Sequence, residues 1–132
     1  MRQMRGFTLL ELMVAVIIAA ILAAMAIPVY RQYIRRADEG KVMQQMQYVA
    51  ESAERHKARN FNYKNFTPSA NWPVGYTNSL TIESNGLYWT MKLTTADARK
   101  YSFLMDSRGN RCKTKTAASI TNTGCGSTGE KW

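Results

Sequence analysis

A chain of 132 residues with 18 Lys and Arg against 9 Asp and Glu, a formal net charge of +9, leaves room for one domain with an appended segment. It excludes a multidomain enzyme and a large nucleotide-binding sheet, and it permits one modest core. The composition is 45% apolar and 20% charged, a globular average that hides an uneven distribution: residues 12–30 carry no charge, whereas residues 31–132 hold 16 basic and 8 acidic side chains.

The uncharged run from Leu12 to Tyr30 would span about 28 Å as a helix, close to the hydrocarbon thickness of a bilayer. It is apolar on every side, so a membrane or a multi-helix core must surround it. It is too long for a strand. Ala23, Ala24 and Ala26 offer the small residues of an ordinary secretory signal. Two features oppose that reading. Glu11 places an ionisable side chain at the head of the apolar stretch, which marks a functional site, and the helical pattern runs on past Tyr30.

The residues Arg5-Gly6-Phe7-Thr8-Leu9-Leu10-Glu11-Leu12, leading into an apolar helix with Ala26-Ile27-Pro28 near its end, resemble the class III leader of type IV pilins and type II secretion pseudopilins. The resemblance covers residues 1–30 directly. It implies that the family's prepilin peptidase, a membrane aspartyl enzyme, cuts between Gly6 and Phe7 and methylates the new α-amine of Phe7. A residue without Cβ at Gly6 lets a protease approach the backbone closely. The resemblance also implies that Glu11 pairs with the N-terminal amine of a neighbouring subunit. A carboxylate among apolar helices has to be neutralised or paired, and its own α-amine one turn away is the competing partner. Pro28 removes the helical bond to the Ala24 carbonyl and is the expected kink. Where the family often carries Gly in mid-helix this chain has Ala20, which opposes melting before Pro28.

The chain is thus expected to comprise a leader (1–6), a transmembrane and filament-core half-helix (7–30) and a periplasmic pilin domain (31–132). Its expected place is the inner membrane before assembly and an extracellular pilus afterwards. Arg31, Arg35, Arg36 and Lys41 outnumber Arg2 and Arg5, so a charge count alone would put the body on the cytoplasmic side. The motif and the cysteines point the other way.

Beyond Tyr30 the helix pattern continues to about Asn60. Val42, Met46, Val49, Ala53 and His56 form an apolar stripe widened by Met43 and Ala50, while Asp38, Glu39, Glu51, Glu54, Arg55, Lys57 and Arg59 decorate the remainder. One helix over 7–60 would measure about 80 Å. Residues 60–78, rich in Asn, Pro and aromatics, read as a loop packed by its own rings. Leu80 and Ile82 open a strand, Ser84-Asn85-Gly86 a turn, and Leu87, Trp89, Met91 and Leu93 alternate along a second strand. Residues 101–106 and 111–117 give two more, on either side of a turn at Arg108-Gly109-Asn110. The expected fold is α+β: a long N-terminal helix on a four-stranded antiparallel sheet. This matches the pilin fold.

In a small exported domain of that family, Cys112 and Cys125 are expected to form a disulfide loop that reinforces a tail poor in apolar anchors. Free thiols are the alternative. A zinc site is not expected, because His56 is the single histidine.

No catalytic constellation is present: there is one histidine, read as structural, and no phosphate-cradling glycine loop. No enzymatic activity, cofactor or metal is expected. The reading is a structural subunit of a type IV pilus whose partners are other pilin subunits, prepilin peptidase and the inner membrane. Ala53-Glu54-Arg55 followed by Asn60-Phe61-Asn62-Tyr63 looks like the helix end of small minor pilins, with a short major pilin as the alternative. Retention of Glu11 suits a subunit stacked beneath another. A type II secretion pseudopilin is the second reading, although those usually lack the terminal disulfide, and the calcium loop of the commonest type has no counterpart among residues 108–132, where Glu130 is the sole carboxylate. The third is a nucleic-acid binder. Arg108, Arg111, Lys113 and Lys115 cluster around the second turn and can meet phosphates in a salt-dependent way, against the ordinary explanation of a solvated basic surface.

Overall fold

The computed structural model describes residues 6–132, so five of the six leader residues, Arg2 and Arg5 among them, lie outside the described residues. The chain forms α1 (Leu9–Asn60), β1 (Tyr76–Ile82), β2 (Trp89–Thr95), β3 (Ser102–Asp106), β4 (Arg111–Thr114) and a short 3-10 turn at Ala117–Ser119. It divides into two compact units, Met1–Arg36 and Ala37–Trp132.

In the first unit, α1 begins two residues later than the apolar pattern predicts. The cause is Thr8, whose Oγ1 accepts the Glu11 N–H at 3.2 Å and whose carbonyl accepts that of Leu12. Thr8-Leu9-Leu10-Glu11 is a Thr-x-x-Glu helix start, with one otherwise orphaned donor satisfied by the cap. The helix continues through Pro28.

In the second unit, the stripe Val42, Met46, Val49 and Ala53 is buried against Trp89, Met91 and Leu93 of β2, Phe103 and Met105 of β3, and Tyr63 from the following loop. His56, the last residue of the predicted stripe, is only half-buried; its Nε2 lies 3.0 Å from the Lys64 carbonyl and its ring packs on Phe66. At the end of α1 the Phe61 N–H bonds the Lys57 carbonyl, with Phe61 in the left-handed region (φ 61) and almost fully exposed. Asp38 does not face solvent freely as its place among the polar residues suggests. Its Oδ2 accepts Lys100 Nζ at 2.9 Å, both side chains are mostly covered, and the pair fastens the β2–β3 loop to the helix.

The sheet is an antiparallel meander in the order β1-β2-β3-β4. Along β2 the buried Trp89, Met91, Leu93 and Thr95 alternate with half-buried residues. The first strand starts earlier than predicted. Tyr76 and Asn78 extend the alternation of Leu80 and Ile82 backwards, Tyr76 packing its ring 6.4 Å from Phe103. The first hairpin is wider than a two-residue Asn-Gly turn. Glu83 N–H bonds the Tyr88 carbonyl around a loop in which Gly86 takes φ 71 and Asn85 Oδ1 accepts Leu87 N–H. Leu87 is therefore expelled from β2 and half-exposed. Residues 115–117 leave β4, Thr116 N–H turning back to Thr114 Oγ1.

Both faces of β3 are buried. Phe103 and Met105 face the helix. Leu104, opposite Cys112, lies on the other face, where the tail touches Thr90 through the Asn122 carbonyl and Thr114 through Thr128. The Cys112–Cys125 disulfide forms as expected. The tail then pairs with β4: Lys113 and Glu130 exchange N–H···O bonds of 2.8 and 2.9 Å, Trp132 Nε1 donates to the Cys112 carbonyl, and the Trp132 ring meets Phe103 edge-on at 6.0 Å. The β4 edge is thereby closed. The β1 edge is not. The Glu83–Tyr88 bond sets the alternation of the ladder, so the N–H groups of Asn78, Leu80 and Ile82 point away from β2, and none finds a backbone acceptor among the described residues.

Candidate functional site

The predicted site residues fall into two groups, one in each unit. The first is the head of α1. Gly6, Phe7 and Thr8 lie outside any regular element and are exposed, Phe7 at 80%. This places the Gly6–Phe7 bond in accessible, non-helical chain ahead of the Thr8 cap. Glu11 sits in the first helical turn, exposed and without a salt-bridge partner among the described residues. Around and beyond it every large apolar side chain from Leu9 to Val29 is exposed. The helix is long and apolar enough to cross a membrane, its best window having a mean hydropathy of 2.8 and no buried residue. Thr8 joins this group as the cap that starts the helix, signalled in the sequence by the Thr-x-x-Glu spacing.

The second group is the basic end of the sheet. Arg111, Lys113 and Lys115 follow one another at alternate positions, and each lies over an aromatic ring: Arg111 over Trp132 at 5.6 Å, Lys113 and Lys115 over Tyr101 at 4.5 and 5.2 Å. Burial, and then the nearby Glu130, push the Tyr101 phenol up from its ordinary range. Arg108 is directed elsewhere, donating to Glu83 at 3.0 Å and covering the Tyr88 ring at 4.1 Å. The structure therefore brings three of the four predicted cations together. Tyr101 and Trp132 are the members that spacing alone did not reveal, because one lies just ahead of β3 and the other arrives with the tail.

No cluster of three or more His, Cys, Asp or Glu suited to a metal occurs among the described residues. The strongly perturbed groups serve structure. Tyr63 is pushed up to about 12 by burial and then by its bond to Glu54, whose Oε1 it approaches at 2.6 Å. Tyr76 is also pushed up to about 12, by burial and then by Glu39, Asp38 and Asp97. Asp97 is held below the usual carboxylate range by the Arg99 backbone N–H and then by its side chain.

Residues 1–27 match the family model described as the prokaryotic N-terminal methylation motif. The type IV major fimbrial protein FimA of Dichelobacter nodosus is 56% identical over 39 residues, 30% of this chain and 25% of that protein. A fimbrial protein of Pseudomonas aeruginosa is 32% identical over 91 residues, 65% of this chain and 57% of that one. Prepilin peptidase-dependent protein D of Escherichia coli (strain K12) is 57% identical over 37 residues, 28% of this chain and 25% of its own length. The chain thus spans between a quarter and somewhat over half of these relatives. No solved structure matches it. The methylation motif and the fimbrial relatives support the type IV pilin family for this chain.

Proposed function

We propose that this chain is a structural subunit, a minor pilin, of a type IV pilus. In this reading it is anchored in the inner membrane by the apolar half of α1 until prepilin peptidase cuts between Gly6 and Phe7 and methylates the Phe7 amine. It then joins the fibre through that half-helix. The observation that supports this most is the combination at the head of α1: a capped helix start, a carboxylate at Glu11 without a partner, and an apolar surface on which nothing in the first unit folds back. Exposed apolar surface of that extent demands a lipid or protein surround. Within it Glu11 needs a cation, and the liberated amine of the neighbouring subunit supplies one and fixes the axial register. Adhesion, twitching motility or DNA uptake then belong to the assembled fibre.

The Cys112–Cys125 loop favours a pilus over a type II secretion pseudopilus, whose subunits usually lack it. Counting copies of the chain in purified filaments distinguishes a minor from a major subunit. The test of the main reading is Glu11→Ala in the producing cell. The variant is expected to be processed normally, with a methylated Phe7, yet to be recovered poorly in sheared filaments while accumulating in the membrane. Recovery equal to that of the unaltered chain refutes the pairing. An unprocessed chain found free of membrane and filament refutes the subunit reading itself.

A further inference from the structure

We propose that the open edge of β1 docks the β1 strand of a second copy of this chain, the two strands pairing antiparallel about Leu80. The proposal does not depend on the filament reading: a two-fold pair closes on itself, whereas a fibre needs contacts that repeat head to tail.

The backbone sets the geometry. The N–H and C=O groups of Asn78, Leu80 and Ile82 point away from β2 and have no backbone partner among the described residues. The strand is fixed at both ends, where Tyr76 N–H bonds the Pro73 carbonyl and Glu83 N–H that of Tyr88. The outward residues are spaced evenly about Leu80. An antiparallel copy centred there sets Leu80 against its counterpart and Asn78 against Ile82, each pair exchanging both N–H···O bonds. A slip to the next outward residue loses part of this. Asn78 would then face Ser84 in the turn, or Ile82 would face Tyr76, whose N–H is already used.

The side chains make the occupant a copy. β1 is uncharged, and in this register Glu83 faces Thr77, so no like charges meet across the seam. On the exposed face Ser79 stands opposite Thr81, a hydroxyl pair. On the other face Leu80, half-buried against the core, meets its counterpart. The two sheets join into one, with β1 and its copy at the centre and the same face of each turned to its helix stripe. The apolar surface of α1 from Leu9 to Val29 gathers copies into one lipid or micellar phase and so raises their effective concentration. A seam one seven-residue strand long is small and suits a reversible contact.

The test is amide exchange, followed by NMR, on the full chain in non-ionic detergent micelles at low and high protein-to-detergent ratio. At the high ratio, exchange at Asn78, Leu80 and Ile82 is expected to slow by about tenfold, while Thr77, Ser79 and Thr81, already bonded to β2, change little. Ser79→Lys combined with Thr81→Lys sets like charges face to face and abolishes the slowing, as does Ser79→Glu combined with Thr81→Glu. An equimolar mixture of the two variants restores it, which also shows that both fold. The proposal is overturned if the three amides of the unaltered chain exchange alike at both ratios, whatever the variants do, as they would if copies met only through their apolar helices. It is overturned equally if either charged variant keeps the slowing, or if an unrelated extended peptide protects the three amides at a concentration at which a second copy does not.

Discussion

Replacing both cysteines, Cys112→Ala with Cys125→Ala, is the sharpest probe of how the tail is held. The bond closes a loop across 13 positions, and the chain-entropy model gives about 3 kcal/mol for a loop of that size. Other restraints on the tail are the two-bond bridge at Glu130, the indole hydrogen bond, the edge-on ring contact and the Arg111 contact of Trp132, and the Thr114–Thr128, Thr90–Asn122 and Tyr101–Glu130 side-chain contacts. Each net hydrogen bond contributes about 1 kcal/mol, and each forms only while the tail lies beside β4, where the covalent tie keeps it. The expected result for the full chain in micelles is a loss of about 3 kcal/mol in urea unfolding followed by tryptophan emission. Amide exchange should rise first at Lys113 and Glu130 and leave β2 protected. A loss below about 1 kcal/mol, with the Lys113 and Glu130 amides still protected, would show that packing alone seats the tail and would refute the entropic argument.

Four further outcomes are expected. Met46→Ala, at a fully buried position of the helix stripe, should cost about 2–5 kcal/mol in the same unfolding assay; less than about 1 kcal/mol would place the core elsewhere. Because burial raises Tyr63 and Tyr76 from 10 to about 12, their contribution to stability is complete below pH 10 and is lost as pH rises through 12. Tyrosinate absorbance and unfolding should therefore climb together in that window, and unfolding complete below pH 10 would contradict it. Gly86→Ala should destabilise by at least about 1 kcal/mol, since φ is +71 and a Cβ would meet Lys64 Cγ at 2.7 Å, while helical Gly40, with open space around it, should gain about 0.5–1 kcal/mol as Ala; thermal midpoints moving the same way would refute the contrast. Gly6→Ala should leave the leader attached, seen as an intact mass in the membrane fraction.

The long helix and its buried stripe were legible because one physical period governs them from Val42 to Ala53, and the inward set of β2 was legible as alternation. What was not legible arises from contacts between distant parts. Tyr76 joins β1 because Phe103 lies two strands away, and Leu87 leaves β2 because the turn closes at Glu83 and Tyr88. The Asp38–Lys100 pair spans 62 positions, and no local pattern announces it. At the basic end, spacing grouped Arg108 with its neighbours, but the turn at Gly109 reverses the chain, and Arg108 finds Glu83 and Tyr88 on the first hairpin. The cap at Thr8 was readable in principle, since its Thr-x-x-Glu signal is entirely local.

The sheet is sealed along one border and bare along the other. β1 carries no charge, no proline and three outward N–H groups, with small hydroxyl side chains at Thr77, Ser79 and Thr81 on its exposed face. Proteins usually guard such a border with lysine, proline or a bulge. With that border bare, the body's overall positive charge is what opposes strand-to-strand pairing of two copies, and salt that screens the charge weakens this opposition.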